Sequence, residues 1–132
     1  MKIGFIGLGN VGSKLSGSLL RNGFDVSVYD LSSQLMVDFA KNGAKIGENP
    51  EHLMNVCDTI ITCLPSPAAS NMVMQKMLPF VKEGKTWLEM STTDDAEVKR
   101  LGAEVISRGG KAVDCPVSVS YTHLTLPTSD LV

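Results

Sequence analysis

A glycine-rich turn near the N-terminus constrains the fold of this chain more than any other feature. An apolar run, residues 2–6, leads directly into Gly7, Gly9 and Gly12, and a helical pattern follows. Gly7 permits a tight turn out of a strand, Gly9 lets the backbone approach a ligand closely, and Gly12 lets the first helix pack against the sheet. This order of elements predicts a dinucleotide-binding motif with the pyrophosphate at the helix N-terminus. The predicted cofactor contacts in the turn are Gly7, Leu8, Gly9, Asn10, Val11 and Gly12.

A carboxylate after the second predicted strand bears on which nicotinamide cofactor is bound. Asp30 lies 18 residues beyond Gly12 and follows a second apolar run, residues 25–29. It can accept hydrogen bonds from a ribose 2′-OH and would repel the 2′-phosphate of NADP. Residues 31–33 supply no Arg to hold that phosphate. We therefore predict NAD rather than NADP, with contacts from Asp30 and Leu31; the alternative is that Asp30 only caps the next helix.

Strand patterns alternate with helix patterns along the chain. The predicted strands are 2–6, 25–29, 44–46, 59–63, 86–90 and 111–115, and the helices between them begin near 11, 33, 50, 68 and 91. This alternation predicts an α/β fold: a Rossmann-type, doubly wound parallel sheet of about six strands with right-handed crossovers. Ligands of such sheets bind beyond the carboxyl ends of the strands. The turns at that edge are 7–12, 30–33, 64–67, 91–94 and 116–118.

Two later helices carry apolar patterns that predict buried faces. The methionines of the helix near 68–78 are expected to pack in the core rather than to form a functional surface: Met72, Met74 and Met77. The inner face of the last helix is expected to consist of Val98, Leu101, Val105 and Ile106.

Length, charge and cysteine content exclude several classes of protein. The chain has 132 residues, which favours one domain, and a net charge of −2 with no basic cluster, which argues against nucleic acid as a partner. No apolar run approaches the length of a membrane span, and a strand begins where a signal peptide would lie. Cys57, Cys63 and Cys115 are expected to be buried thiols of a cytoplasmic protein. We expect no metal site, because no metal-ligand spacing is visible.

Four motifs follow one another in an order typical of one protein family. They are Gly4–Gly9 with Gly12, Cys63–Ser66, Glu89–Thr92 and Asp114–Ser118. In this order they resemble the N-terminal domain of the β-hydroxyacid dehydrogenases, the family of 3-hydroxyisobutyrate dehydrogenase and tartronate semialdehyde reductase. The resemblance implies hydride transfer between nicotinamide and a small 3-hydroxy acid, with the cofactor carrying the chemistry.

The resemblance also implies roles for single residues. Leu64 and Pro65 would lie beside the nicotinamide ribose, Thr92 near the reactive end of the cofactor, and Ser118 on the substrate carboxylate. The family's general acid/base is a lysine in a second, all-helical domain, so we expect no catalytic residue in these 132 residues and cofactor binding without turnover. The full-length protein is expected to be a homo-oligomer acting on a small-molecule hydroxy acid.

Some residues depart from the family pattern. Val11 replaces the usual Met, Ala69 stands where some members have a cofactor-binding Asn, and the Gly-Gly pair after Ser118 is absent. Two other interpretations stay open: a stand-alone nucleotide-binding or redox-sensing module, because fold does not determine function, and a relative of 6-phosphogluconate dehydrogenase or imine reductase.

The last residues break the pattern. We predict a cofactor-binding domain over residues 1–118 and a non-native tail over 119–132, because the segment from Val119 to Thr128 matches the translation of a sequencing-library adapter. The alternative is a genuine edge strand in which polar and apolar residues alternate around His123.

Overall fold

The computed structural model describes residues 1–90 and 95–114, which form six strands and five α-helices in strict alternation. The strands are β1 Lys2–Ile6, β2 Asp25–Tyr29, β3 Lys45–Ile46, β4 Thr59–Thr62, β5 Thr86–Glu89 and β6 Lys111–Asp114. The helices are α1 Asn10–Arg21, α2 Ser33–Lys41, α3 Pro50–Val56, α4 Pro67–Met77 and α5 Asp95–Ser107, and a 3-10 turn, Leu78–Phe80, follows α4.

All six strands lie in one parallel sheet in the order β3-β2-β1-β4-β5-β6. The predicted α/β fold with a doubly wound sheet of about six strands is confirmed. The order reverses at β1, where Ile6 pairs with Tyr29 of β2 on one side and with Thr62 of β4 on the other. The chain therefore leaves β1 and β4 in opposite directions, and a crevice opens above their carboxyl ends.

Each face of the sheet is covered by its own helices. On one face, α1 and α2 pack against a cluster that includes Phe5, Val28 and Ile61. On the other face, the side chains of α3, α4 and α5 pack around Ile60 and Trp87. Consecutive residues of a strand point to opposite faces, and in β4 Ile60 and Ile61 are buried on opposite faces of the sheet. Thr62 is buried as well, and Thr59 is partly buried.

Local sequence explains where several helices begin and end. Gly23 and Gly43 follow α1 and α2 with φ of +84° and +102°, a left-handed conformation that stops a helix and that glycine adopts without strain. Asn49 caps α3 by accepting a hydrogen bond from the N–H of His52 at 2.7 Å, and Pro50 occupies the first helical position. These stops keep the connections short.

Two of the predicted buried positions are wrong. Met74 and Met77 are fully buried as expected, but Met72 is 63% exposed, because it lies on the side of α4 that faces the crevice. Ile106 is 60% exposed, because α5 buries Leu101 and Val105 and the next residue turns about 100° away from that face. No helix in the described ranges combines the length and apolar character needed to cross a membrane.

Candidate cofactor-binding site

A cleft of about 710 Å³ lies at the carboxyl edge of the sheet, above the point where the strand order reverses. Its walls come from the turns after β1, β2 and β4, from the first turn of α1 and from one side of α4. Its lining residues from the predicted set are Gly7, Gly9, Asn10, Val11, Gly12, Asp30, Leu31, Leu64 and Pro65. The structure thus brings nine separately predicted positions into one concave site.

Close packing requires two of the three glycines. Gly7 has a φ of +101°, and its N–H donates to the Tyr29 carbonyl oxygen at 3.0 Å, which joins the turn to β2. A Cβ on Gly7 would overlap the Cys63 carbonyl oxygen, and a Cβ on Gly12 would overlap the Gly7 carbonyl oxygen. The backbones of α1, the turn and β4 therefore approach one another at distances that no other residue type permits.

Gly9 is different, because a Cβ at this position would meet no heavy atom within 4 Å. The space beside it is the cleft. Gly9 is also the N-terminal cap residue of α1, and no side chain caps this helix in the described structure; its first turn contains no acidic residue. The unpaired N–H groups and the positive dipole end of α1 consequently face a space that can accept an anion.

Asp30 holds the glycine-rich turn in place by a hydrogen bond. Its Oδ2 accepts a hydrogen bond from the Leu8 N–H at 2.7 Å, and its Oδ1 accepts one from the Ser32 N–H at 2.8 Å. Each carboxylate oxygen can accept a second hydrogen bond, so the cleft side of the group can still bind hydroxyls. The alternative that Asp30 only caps α2 is wrong, because Ser32 is the cap and accepts from the Leu35 N–H at 3.4 Å.

Of the other predicted site residues, some lie at the cleft, one is buried in the core and two lie outside the described residues. Leu8 contributes a backbone N–H to Asp30, while its side chain is fully buried in the core and does not line the cleft. Leu31 projects at the mouth with 93% of its surface exposed. Thr92 and Ser118 lie outside the described residues, so their proposed contacts with cofactor and substrate stay predictions.

Apart from the position of Ala69, the sequence analysis did not anticipate the wall that α4 supplies. Its cleft-facing residues are Ala69, Met72, Val73 and Lys76, which recur at the spacing of one helical face. That spacing was available in the sequence, but it does not reveal which face of α4 meets the core and which the cleft. Lys76 adds an exposed positive charge to this wall.

Cys63 also lines the cleft, at the end of β4. It is half-buried rather than buried, so the prediction of buried thiols holds for Cys57 and is wrong for Cys63, while Cys115 lies outside the described residues. Burial raises the pKa of the Cys63 thiol, and the charge of Glu89 raises it further. The thiol is therefore held protonated at neutral pH. Within residues 1–90 and 95–114, no group of His, Cys, Asp and Glu side chains is placed to hold a metal ion.

The fold and the site together define a dinucleotide-binding domain of the Rossmann class. Residues 2–123 match the family described as the NAD binding domain of 6-phosphogluconate dehydrogenase, and the chain belongs to this family of NAD(P)-dependent dehydrogenases and reductases. The resemblance found in the four sequence motifs is thereby confirmed at the level of the family.

Three relatives illustrate the range of this family. Glyoxylate/succinic semialdehyde reductase 1 of Arabidopsis thaliana is 34% identical over 123 residues, which are 91% of this chain and 43% of the relative. Cytokine-like nuclear factor N-PAC of Homo sapiens is 35% identical over 120 residues, 89% of this chain and 22% of the relative. The structure of 3-hydroxyisobutyrate dehydrogenase from Mycobacterium tuberculosis superposes with a TM-score of 0.81 at 26% identity, over 89% of this chain and 40% of that one. The chain thus spans less than half the length of each.

Proposed function

We propose that this chain binds NAD in the cleft, with the pyrophosphate against the backbone of the turn at Gly9. The observation that carries the proposal is the open space beside Gly9, next to the uncapped N-terminus of α1. A pyrophosphate is a doubly charged group that needs close backbone donors and no intervening side chain. The neighbouring Gly7 and Gly12 are needed for packing, whereas Gly9 is free of any packing role in the described structure.

The two ends of the cleft suit the two halves of NAD. Asp30, with its remaining acceptor capacity, would bind the adenosine ribose hydroxyls, and its negative charge disfavours the 2′-phosphate of NADP. Leu64 and Pro65 at the end of β4 would lie beside the nicotinamide ribose, as the family resemblance implies. The bound cofactor would supply hydride transfer, and the residues of this chain would hold and orient it.

The substrate class we propose is a small 3-hydroxy acid or the corresponding semialdehyde. Two relatives support this class by their names, a glyoxylate/succinic semialdehyde reductase and a 3-hydroxyisobutyrate dehydrogenase. The general acid/base expected from the resemblance is a lysine that would come from outside residues 1–132. We therefore expect these 132 residues by themselves to bind cofactor without oxidising 3-hydroxyisobutyrate, and a full-length protein to act as a homo-oligomer.

A valine scan at two glycines tests the cofactor site. Gly9→Val places a branched side chain where the pyrophosphate would lie, so NADH binding measured by isothermal titration should disappear. Gly17→Val is the matched control, because Gly17 lies in the same helix away from the cleft and a Cβ there meets only the flexible end of Arg21. Retained affinity in Gly9→Val, with both variants folded by circular dichroism, would refute the assignment of the turn.

A second candidate is a binding module that holds a nucleotide without catalysing a reaction. The similarity to N-PAC favours it, because the name of that relative describes a nuclear factor rather than an enzyme. The two candidates differ in what the full-length protein does with bound cofactor. Reduction of NAD in the presence of a 3-hydroxy acid supports the enzyme, and tight NAD binding with no such reduction supports the module.

A further inference from the structure

A chain of buried polar groups joins β4 and β5 directly beneath the cleft. The indole Nε1 of Trp87 donates to the Thr62 Oγ1 at 2.9 Å, and the Thr62 hydroxyl donates to Glu89 Oε1 at 3.0 Å. Trp87 is 1% exposed, and Thr62 and Glu89 are fully buried. These three side chains lie on the face of the sheet that α3, α4 and α5 cover.

The direction of these hydrogen bonds is set by chemistry. An indole N–H is only a donor, so the Thr62 oxygen accepts from it, and the Thr62 hydroxyl donates its proton to Glu89. Glu89 therefore has to present an acceptor oxygen at this point. Thr62 and Glu89 are also cross-strand partners in the parallel ladder.

Glu89 is an unusual residue type for a fully buried position. Burying a carboxyl costs free energy unless hydrogen bonds compensate for the lost water, and an apolar side chain of similar size would fill the same space without that cost. The backbone ladder already holds the strands together, since the Met90 N–H donates to the Thr62 carbonyl oxygen at 2.9 Å. The Thr62–Glu89 pair adds a side-chain hydrogen bond to this ladder, at the ends of β4 and β5.

The pair lies directly before residues that line the cleft. Thr62 ends β4 and Glu89 ends β5, and the residues that follow them, Cys63 to Pro65 and Met90, line the cleft. Leu64 packs against the core cluster that contains Trp87. A Cβ on Gly7 would lie 3.3 Å from the Cδ2 atom of Leu64. A shift of the β4 end would consequently move both the cleft wall and its contact with the glycine-rich turn.

We propose that Thr62 and Glu89 are a positioning pair for the bound cofactor: their hydrogen bond fixes the ends of β4 and β5, and thereby the segment at Leu64 and Pro65 that lies against the nicotinamide half. The pair acts through that segment and does not touch the cofactor itself. This inference rests on the proposed binding of NAD in the cleft.

The test compares Glu89→Gln with Glu89→Leu by NADH titration of the 132-residue chain. Gln keeps an acceptor oxygen for the Thr62 hydroxyl, so we expect affinity close to that of the unaltered chain. Leu removes the acceptor and should weaken NADH about tenfold, which corresponds to about 1.4 kcal/mol. Thr62→Val should weaken NADH binding by the same factor as Glu89→Leu, because it removes the other partner of the hydrogen bond. Ile60→Val is the control, because it removes one buried methylene from the same strand and the same face without touching the polar chain.

Trp87 provides a direct readout, since it is the only tryptophan in the sequence. Its emission overlaps the absorption of reduced nicotinamide. Energy transfer to bound NADH therefore reports the distance between Trp87 and the nicotinamide ring. We expect Glu89→Leu and Thr62→Val to alter both the indole emission and this transfer, and Ile60→Val and Glu89→Gln to leave the transfer unchanged.

The outcomes separate the two proposals. If the unaltered chain fails to bind NADH, the proposed function fails and the positioning role fails with it. If the unaltered chain binds and Glu89→Leu binds equally well, only the positioning role is overturned. Equal losses of NADH affinity in Glu89→Gln and Glu89→Leu would also overturn the positioning role, because the acceptor oxygen at residue 89 would then be irrelevant. Should Glu89→Leu not fold, the comparison of Thr62→Val with Ile60→Val decides the matter.

Discussion

Asp30 lines the cleft and also holds the glycine-rich turn. The 18-residue spacing from Gly12 predicted an acid at the end of β2, and the structure places it on the cleft. Its hydrogen bonds to the N–H groups of Leu8 and Ser32 were not predictable, because they depend on how the turn after β1 folds back over β2. Sequence spacing located the residue, and only the tertiary structure shows that it also holds the turn.

Replacing Asp30 should change both the strength and the selectivity of cofactor binding. Asp30→Ala removes hydrogen bonds to a charged acceptor, each of which contributes about 1.5–3 kcal/mol, so NAD affinity should fall by at least about tenfold. Asp30→Asn keeps an acceptor oxygen but removes the charge, so the preference for NAD over NADP should narrow with a smaller loss of NAD affinity. Titrations with both cofactors check this, and an unchanged NAD/NADP ratio in both variants would contradict the role of the carboxylate.

Cys63 offers a chemical probe of the same cleft. Burial and the charge of Glu89 raise the pKa of its thiol, so the thiolate that reacts with iodoacetamide forms only at a pH above the ordinary thiol range. We expect the alkylation rate of Cys63 to rise with pH to a midpoint above that of free cysteine, about 8.5, and NAD to slow the reaction. Peptide mass spectrometry distinguishes Cys63 from Cys57 and Cys115. A midpoint below that of free cysteine would be inconsistent with the structure.

At the scale of elements, the alternation of strands and helices was predictable because each element carries its own periodicity and its own stop. In the structure, Gly23 and Gly43 follow the ends of helices and Asn49 caps the start of one. The orientation of a helix was harder to predict, as the exposure of Met72 shows. Contacts between distant segments were also not predictable. The buried ammonium of Lys85 donates to the carbonyl oxygens of Asn55 and Cys57 at the end of α3, and no local sequence pattern indicates this contact.

Two glycines with positive φ allow a test of the turn. Gly7 and Gly23 both have positive φ, but a Cβ on Gly7 would overlap the Cys63 carbonyl oxygen, whereas a Cβ on Gly23 would meet nothing within 4 Å. Gly23→Ala should lower the free energy of unfolding by about 1–2 kcal/mol, the cost of a left-handed residue. Gly7→Ala should cost clearly more, because the clash adds to that strain. Urea denaturation measures both, and equal losses would show that the turn tolerates a side chain.

At the scale of the whole molecule, the sheet order places every described part of the site on one edge. Parallel strands all present their carboxyl ends there, and the reversal at β1 opens the crevice between the turns after β1 and β4. The fold and this edge were predictable from the alternation of elements and the glycine motif. The wall from α4 and the polar chain beneath the cleft were not, because they depend on packing across the sheet.

The central claim, that the glycine-rich turn holds the pyrophosphate of NAD, is tested most directly by following backbone amide resonances of the labelled chain during titration with NAD. The largest chemical-shift changes should occur at Gly9, Asn10, Val11 and Asp30, and the amides of β6, at the far edge of the sheet, should stay in place. Shifts that are absent from residues 9–12, or that are concentrated at β6, would contradict the claim.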